Sequence, residues 1–251
     1  MMKLTLVFLP GVFLLQTATA QQVADPCESL KRERQAMESQ LRDWPNLARY
    51  REANGKLALP ADGESRVVFL GDSITQAWDL SAFFKGKPYV NRGIAGQTTP
   101  QILLRFRQDV IALKPDFVVV LAGTNDIAEN TGPTTLGMIE DNLKSIVDLA
   151  RGNGVRPILA SVLPAAVYPW RPEIQPIDKI LALNQWMKEY AGKEGIVYLD
   201  YYSSLVNNQH GLKAEFSGDG VHPNAAGYAM MVPLVADAIA TSKLQPSKKS
   251  P

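Results

Sequence analysis

Five short apolar runs, separated by stretches of helix length, constrain this chain more than any other feature. The first is Arg66-Val67-Val68-Phe69-Leu70. It is followed by Tyr89-Val90-Asn91, Phe117-Val118-Val119-Val120-Leu121, Pro157-Ile158-Leu159-Ala160-Ser161-Val162 and Ile196-Val197-Tyr198-Leu199. Such runs have no polar face to turn to water, so they read as strands of a parallel sheet covered on both sides. Helical patterning fills the intervals at 99–112, 134–152 and 177–191 and returns at 224–242, with Gly152, Gly154, Gly192 and Gly195 where helices should stop. Strand and helix in alternation predict an α/β fold, a three-layer α/β/α sandwich around a parallel sheet of about five strands. Sheets of this kind bind ligands at the carboxyl ends of their strands.

The flanking segments read differently. Lys3, an apolar run over 4–15 and the small-residue site Ala18-Thr19-Ala20 have the form of a secretory signal peptide, residues 1–20, cut before Gln21. The run falls short of the ~20 apolar residues needed to span a bilayer, so export to the periplasm or medium without stable membrane insertion is expected. An extension at 21–63 is rich in Glu, Arg, Lys and Gln. Leu30, Met37, Leu41 and Trp44 recur there at helical intervals, predicting an amphipathic helix from Asp25 to about Asn54, turned at Asp43-Trp44-Pro45. The α/β domain should occupy 64–243, and the polar residues 244–251 should form a disordered tail. Lys+Arg 26 against Asp+Glu 25 leaves a net charge of +1, which gives no basic field for nucleic acid. Cys27 is the single cysteine, which rules out an intramolecular disulfide.

The punctuation after the strands carries the chemistry. Gly71-Asp72-Ser73 follows the first run, Asn91-Arg92-Gly93-Ile94-Ala95-Gly96 the second and Gly123-Thr124-Asn125-Asp126 the third. Asp219-Gly220-Val221-His222-Pro223-Asn224 opens the last helical stretch. A serine nucleophile needs an imidazole base, and the chain has two histidines. His210 lies in Asn207-Asn208-Gln209-His210-Gly211, a surface-turn composition, so His222 is the candidate base. Two histidines and one distant cysteine fall short of a usual zinc set, and no phosphate-loop string occurs, so no metal or cofactor is expected. Alone, Gly71-Asp72 would merely end a strand and cap a helix, and Asn125-Asp126 would form a turn; Asp72 and Asp126 are given only that structural task.

Together, in this order, the four blocks resemble the SGNH hydrolases, also called the GDSL family, from about Arg66 to Ala240. Their wording is most similar to the branch of platelet-activating-factor acetylhydrolases and bacterial sugar acetylesterases. The resemblance implies a flavodoxin-like SGNH fold with Ser73 as nucleophile, His222 as general base and Asp219 orienting the ring. It also implies an oxyanion hole made by the backbone N–H of Ser73, the backbone N–H of Gly96 and the side-chain amide of Asn125. In the family the donor glycine lies five residues after the Asn of this block, here Asn91, so the resemblance implies Gly96, with Gly93 as the fallback.

The activity so implied is cofactor-independent hydrolysis of carboxylic esters. For an exported chain the expected substrate is a small-molecule or glycan ester, above all short-chain acetyl esters such as O-acetylated carbohydrates. Lysophospholipase or thioesterase activity is the alternative, and a non-catalytic carbohydrate-binding protein on the same fold is the alternative of another class. The segment Pro164-Ala165-Ala166-Val167-Tyr168-Pro169-Trp170-Arg171-Pro172 follows the fourth run. Tyr168 and Trp170 are therefore candidate substrate-binding residues, although they could equally pack on the domain, and Arg171 is a weaker candidate for an anionic group. Trp44 or Tyr50 could add a wall to the site. Activity should rise as His222 loses its proton.

Overall fold

The computed structural model describes residues 26–245, so the signal-peptide reading and the tail beyond Gln245 lie outside the described residues. The described residues of the first unit, 26–42, are one helix, α1 (Pro26–Arg42). The second unit, 43–251, contains α2 (Arg51–Lys56), β1 (Val67–Gly71), α3 (Ser73–Gln76), α4 (Leu80–Phe83) and β2 (Tyr89–Gly93). It continues with α5 (Thr99–Asp109), β3 (Phe117–Leu121), α6 (Thr124–Ile127), α7 (Leu136–Gly152) and β4 (Arg156–Ala160). The last elements are α8 (Ile177–Glu194), β5 (Val197–Leu199), α9 (Tyr202–Leu205) and α10 (Ala225–Leu244).

The stretch expected to be helical from Asp25 to about Asn54, with a turn at Asp43-Trp44-Pro45, holds two helices, α1 and α2. Between them the Asp43 carboxylate accepts the N–H groups of Leu47 and Ala48, and Asn46 takes a positive φ of 55°. That local bonding competes with the helix and ends it.

All five strands run parallel, in the order β2-β1-β3-β4-β5, as the apolar runs predict. Strand residues alternate between two cores because successive side chains leave opposite faces of a strand. Val68, Leu70, Val118, Val120 and Leu159 join Ile102 and Phe106 of α5, Leu143 and Ile146 of α7, and Leu183 and Met187 of α8. Val67, Phe69, Phe117, Val119 and Ile158 join Ile74, Trp78 and Phe84 near α3 and α4, with Met231 and Val235 of α10. Three layers follow, with α5, α7 and α8 on one face and α10 on the other. By length and composition α10 is apolar enough to cross a bilayer, and in this unit it packs Tyr228, Met231, Val235 and Ile239 into the second core.

The chain leaves β1 for β2 on one side and later returns to β3 on the other. Strand order therefore reverses at β1, and the carboxyl ends there are where sheets of this kind bind ligands. The turns after β1, β2 and β3 hold Ser73, Gly96 and Asn125.

Candidate active site

β1 delivers the chain to Asp72, which caps α3: its buried carboxylate accepts the N–H of Ile74 at 2.9 Å. Ser73 is the first residue of that short helix and remains half-buried. From the opposite side, the turn before α10 brings in His222. Its Nε2 lies 2.9 Å from Ser73 Oγ, and its Nδ1 lies 2.7 Å from Asp219 Oδ2. With Nδ1–H donating to the carboxylate, Nε2 keeps its lone pair for the serine hydroxyl.

The two oxygens of Asp219 divide the work of the turn. Oδ2 holds the ring, while Oδ1 accepts the backbone N–H of Val221 at 2.9 Å and of His222 at 2.8 Å. Partial burial pushes this carboxyl up, but those N–H groups and the imidazole outweigh it and hold the pKa well below the usual carboxylate range. Ser217 completes the turn. Its hydroxyl donates to the carbonyl of His222 at 2.8 Å and accepts the N–H of Gly220 at 2.9 Å. Sequence reasoning passed over Ser217; the available signal was a serine two residues before Asp219, the spacing of a side-chain-closed turn. His210 stands elsewhere, exposed, beside the Tyr202 hydroxyl at 3.1 Å.

Among the described residues, the backbone N–H groups of Ser73 and Gly96 have no protein acceptor. Gly93 differs: its N–H donates to Asn91 Oδ1 at 2.9 Å, so it is already committed. The two glycines also exist for different reasons. A Cβ on Gly93 would lie 2.1 Å from the backbone nitrogen of Gln76, whereas a Cβ on Gly96 would meet no protein atom. What Gly96 requires is its φ of +76°.

Buried Asn125 sends Nδ2 to the carbonyl of Gln97 at 3.0 Å and toward Asp72 Oδ2 at 3.4 Å. Its Oδ1 accepts the amide of Asn130 at 2.7 Å, which fixes which end of the Asn125 side chain faces Gln97. Asn130 in turn accepts the indole N–H of Trp170 at 3.0 Å. Asn130 carried no sequence signal, because only the loop after α6 makes it adjacent to Asn125. Asp126, expected only to close a local turn, instead reaches 27 residues back: its carboxylate accepts the backbone N–H and the hydroxyl of Thr99 and ties α6 to α5.

The loop after β4 separates its two aromatics. Tyr168 is fully buried and offers no surface to a ligand. Trp170 is 40% exposed, stacks on Tyr168 and lies with its ring centroid 6.2 Å from that of His222. Arg171 is already engaged by Glu173 and by the carbonyl of Glu129. Trp44 and Tyr50 bond the chain on either side of Gly96. The Trp44 carbonyl accepts the Gln101 side chain, and the Tyr50 hydroxyl donates to the carbonyl of Gly93 at 2.5 Å. Among the described residues no three His, Cys, Asp or Glu side chains gather into a metal-binding group.

Chemically, the arrangement is a hydroxyl hydrogen-bonded to an imidazole, the imidazole hydrogen-bonded to a carboxylate, and amide donors on the adjoining strand ends. The GDSL-like lipase/acylhydrolase family model matches residues 69–230. A GDSL-like lipase from Bacteroides thetaiotaomicron is similar in structure, with a TM-score of 0.76 and 44% identity over 79% of this chain and 98% of that one. Platelet-activating factor acetylhydrolase IB subunit alpha2 of Homo sapiens is 29% identical over 67% of this chain and 73% of its own length. An acetylxylan esterase of Xylanibacter ruminicola is 26% identical over 72% of this chain and 44% of its own. The chain spans about half the length of two of the curated relatives it matches.

Proposed function

The chain belongs to the GDSL-like lipase/acylhydrolase family, and from that premise we propose that it is an exported serine esterase that cleaves short-chain, chiefly acetyl, esters of carbohydrates through an acyl-enzyme. The observation that carries the reading is the hydrogen-bonded line from Ser73 Oγ through His222 to Asp219, at 2.9 and 2.7 Å.

His222 Nε2 takes the proton of Ser73 as Oγ attacks the ester carbonyl, and Asp219 stabilises the imidazolium that forms. Negative charge on the former carbonyl oxygen is met by the N–H of Ser73, the N–H of Gly96 and Nδ2 of Asn125, whose second hydrogen leaves its long 3.4 Å contact with Asp72 for the oxyanion. The imidazolium returns the proton to the departing alkoxide, leaving an acetyl group on Oγ. Water, deprotonated by the same imidazole, then releases acetate and restores the serine.

Support for the acetyl group comes from two relatives whose names specify it, an acetylhydrolase and an acetylxylan esterase. Support for a sugar as leaving group comes from Trp170, whose exposed indole flanks the ring that protonates the alcohol. Hydrolysis of 4-nitrophenyl acetate by wild type and by Ser73→Ala tests the chemistry. A fall in kcat of about 10⁴–10⁶-fold is expected, and equal rates would leave a non-catalytic binding protein. A series from acetyl to palmitoyl esters, then acetylated xylo-oligosaccharides, tests the substrate: a rate that climbs with chain length would favour a lysophospholipase or thioesterase. N-terminal sequencing of the exported protein should begin at Gln21.

A further inference from the structure

The loop that carries Gly96 is held from both sides by residues with no part in the proposed chemistry. From the core side comes Arg105, fully buried on α5. Its Nε donates to Gln97 Oε1 at 2.5 Å, Nη2 to the carbonyl of Gly71 at 2.8 Å and Nη1 to Asp109 at 3.2 Å. One guanidinium therefore bonds both the residue after Gly96 and the end of the strand that leads to Ser73. From the outer side comes the segment 43–56. The carbonyl of Pro45 accepts Gln97 Nε2 at 2.7 Å, and the Tyr50 hydroxyl donates to the carbonyl of Gly93. Asn54 closes the ring by donating to Asp109 Oδ1 at 2.7 Å and accepting from Arg92 Nε at 2.8 Å.

Gln97 is the hub. Its side chain joins Arg105 to Pro45, and its backbone carbonyl accepts Nδ2 of Asn125. A shift of Gln97 would therefore displace two of the three oxyanion donors relative to the third. The outer grip lies at residues 45 and 50, ahead of the residues 69–230 that the family model matches. Fixed donors lower a barrier because they need no reorganisation as charge develops, so a group that fixes them acts on the transition state more than on substrate binding.

We propose that residues 43–56, through Pro45 and Tyr50, together with Gln97 and Arg105, form a clasp that positions the oxyanion loop against the Ser73 turn. Tyr50, Gln97 and Arg105 are positioning residues in it; they touch no reacting atom. The proposal rests on the reading of Ser73, Gly96 and Asn125 given above.

The test uses the full chain with Tyr50→Phe, which removes one hydroxyl, and Gln97→Met, which removes both side-chain bonds of the hub. Rates on 4-nitrophenyl acetate are taken per active site, counted by stoichiometric fluorophosphonate labelling, alongside affinity for a trifluoromethyl ketone that forms an oxyanion on the serine. For each variant kcat should fall about tenfold with KM within about twofold, and ketone affinity should fall by the same factor. Ile146→Ala, which removes core packing on α7 away from this segment, should lower the melting temperature without moving kcat per site. Unchanged kcat per site in Tyr50→Phe and Gln97→Met, with only stability altered, would overturn the clasp. If Ser73→Ala retains wild-type activity, the underlying reading fails instead.

Discussion

At the scale of single residues, the carboxyl groups of Asp219 and Asp72 are in opposite electrostatic states. Asp219 is half exposed, accepts two backbone N–H groups and the imidazole, and stays ionised well into acid. Asp219→Asn keeps the shape but inverts the hydrogen-bonding demand on His222 Nδ1, favouring the tautomer that cannot accept from Ser73. The expected result is a fall in kcat of up to about 10⁴-fold with folding retained, measured by ester hydrolysis beside circular dichroism. Asp72 has nine-tenths and more of its surface buried, and that burial lifts its carboxyl from 3.8 to about 7, against the opposing pull of the Ile74 N–H and of His222. A raised carboxyl stabilises the fold while protonated, so its contribution is complete below pH 3.8 and disappears as pH climbs through about 7. Asp72→Asn removes that titration. Between pH 5 and pH 8 its melting temperature should therefore rise relative to wild type, by about 2–4 °C for each kcal/mol of penalty removed.

At the scale of elements, the site is a set of short turns whose backbones are over-determined by their neighbours. The end of β2 packs so closely on the α3 turn that Gly93 has no room for a side chain, whereas Gly96, three residues on, has room but a left-handed backbone. Gly93→Ala must push backbone apart and should cost about 3 kcal/mol, the upper end for overpacking. Gly96→Ala bears only conformational strain, about 1–2 kcal/mol. Urea unfolding of the two variants checks the order, and a larger loss at position 96 would contradict it. The loop after β4 shows a related division: Tyr168 supplies the buried floor on which Trp170 stacks, so one aromatic serves packing and the next meets solvent beside His222.

At the scale of the whole molecule, the sheet is a scaffold separable from the chemistry at its edge. Ile146 on α7 is fully buried in the first core and belongs to none of the turns that hold Ser73, Gly96, Asn125 or His222. Ile146→Ala should cost about 2–5 kcal/mol in urea unfolding while leaving kcat per active site unchanged. A proportional fall in kcat would mean that core and site are coupled. The layered architecture was legible in the chain, because runs such as Phe117-Val118-Val119-Val120-Leu121 have no polar side and only a doubly covered parallel sheet accommodates them. Helix ends needed turn chemistry rather than periodicity: the break at 43–50 is marked by Asp43-Trp44-Pro45, and the Asp43 carboxylate makes it by capping local backbone. Of the site, the residue types at the strand ends could be named from their order along the chain. Their partners could not: Gln97, Arg105 and Asn130 are ordinary polar residues until the fold sets them against Gly71, Pro45 and Asn125. Local sequence determines where a strand must be buried and where a backbone must turn, since those are short-range properties of side chains and φ. Which buried donor meets which acceptor across 34 or 52 residues of chain is decided only by tertiary packing, because each such bond exists through the position of both its ends.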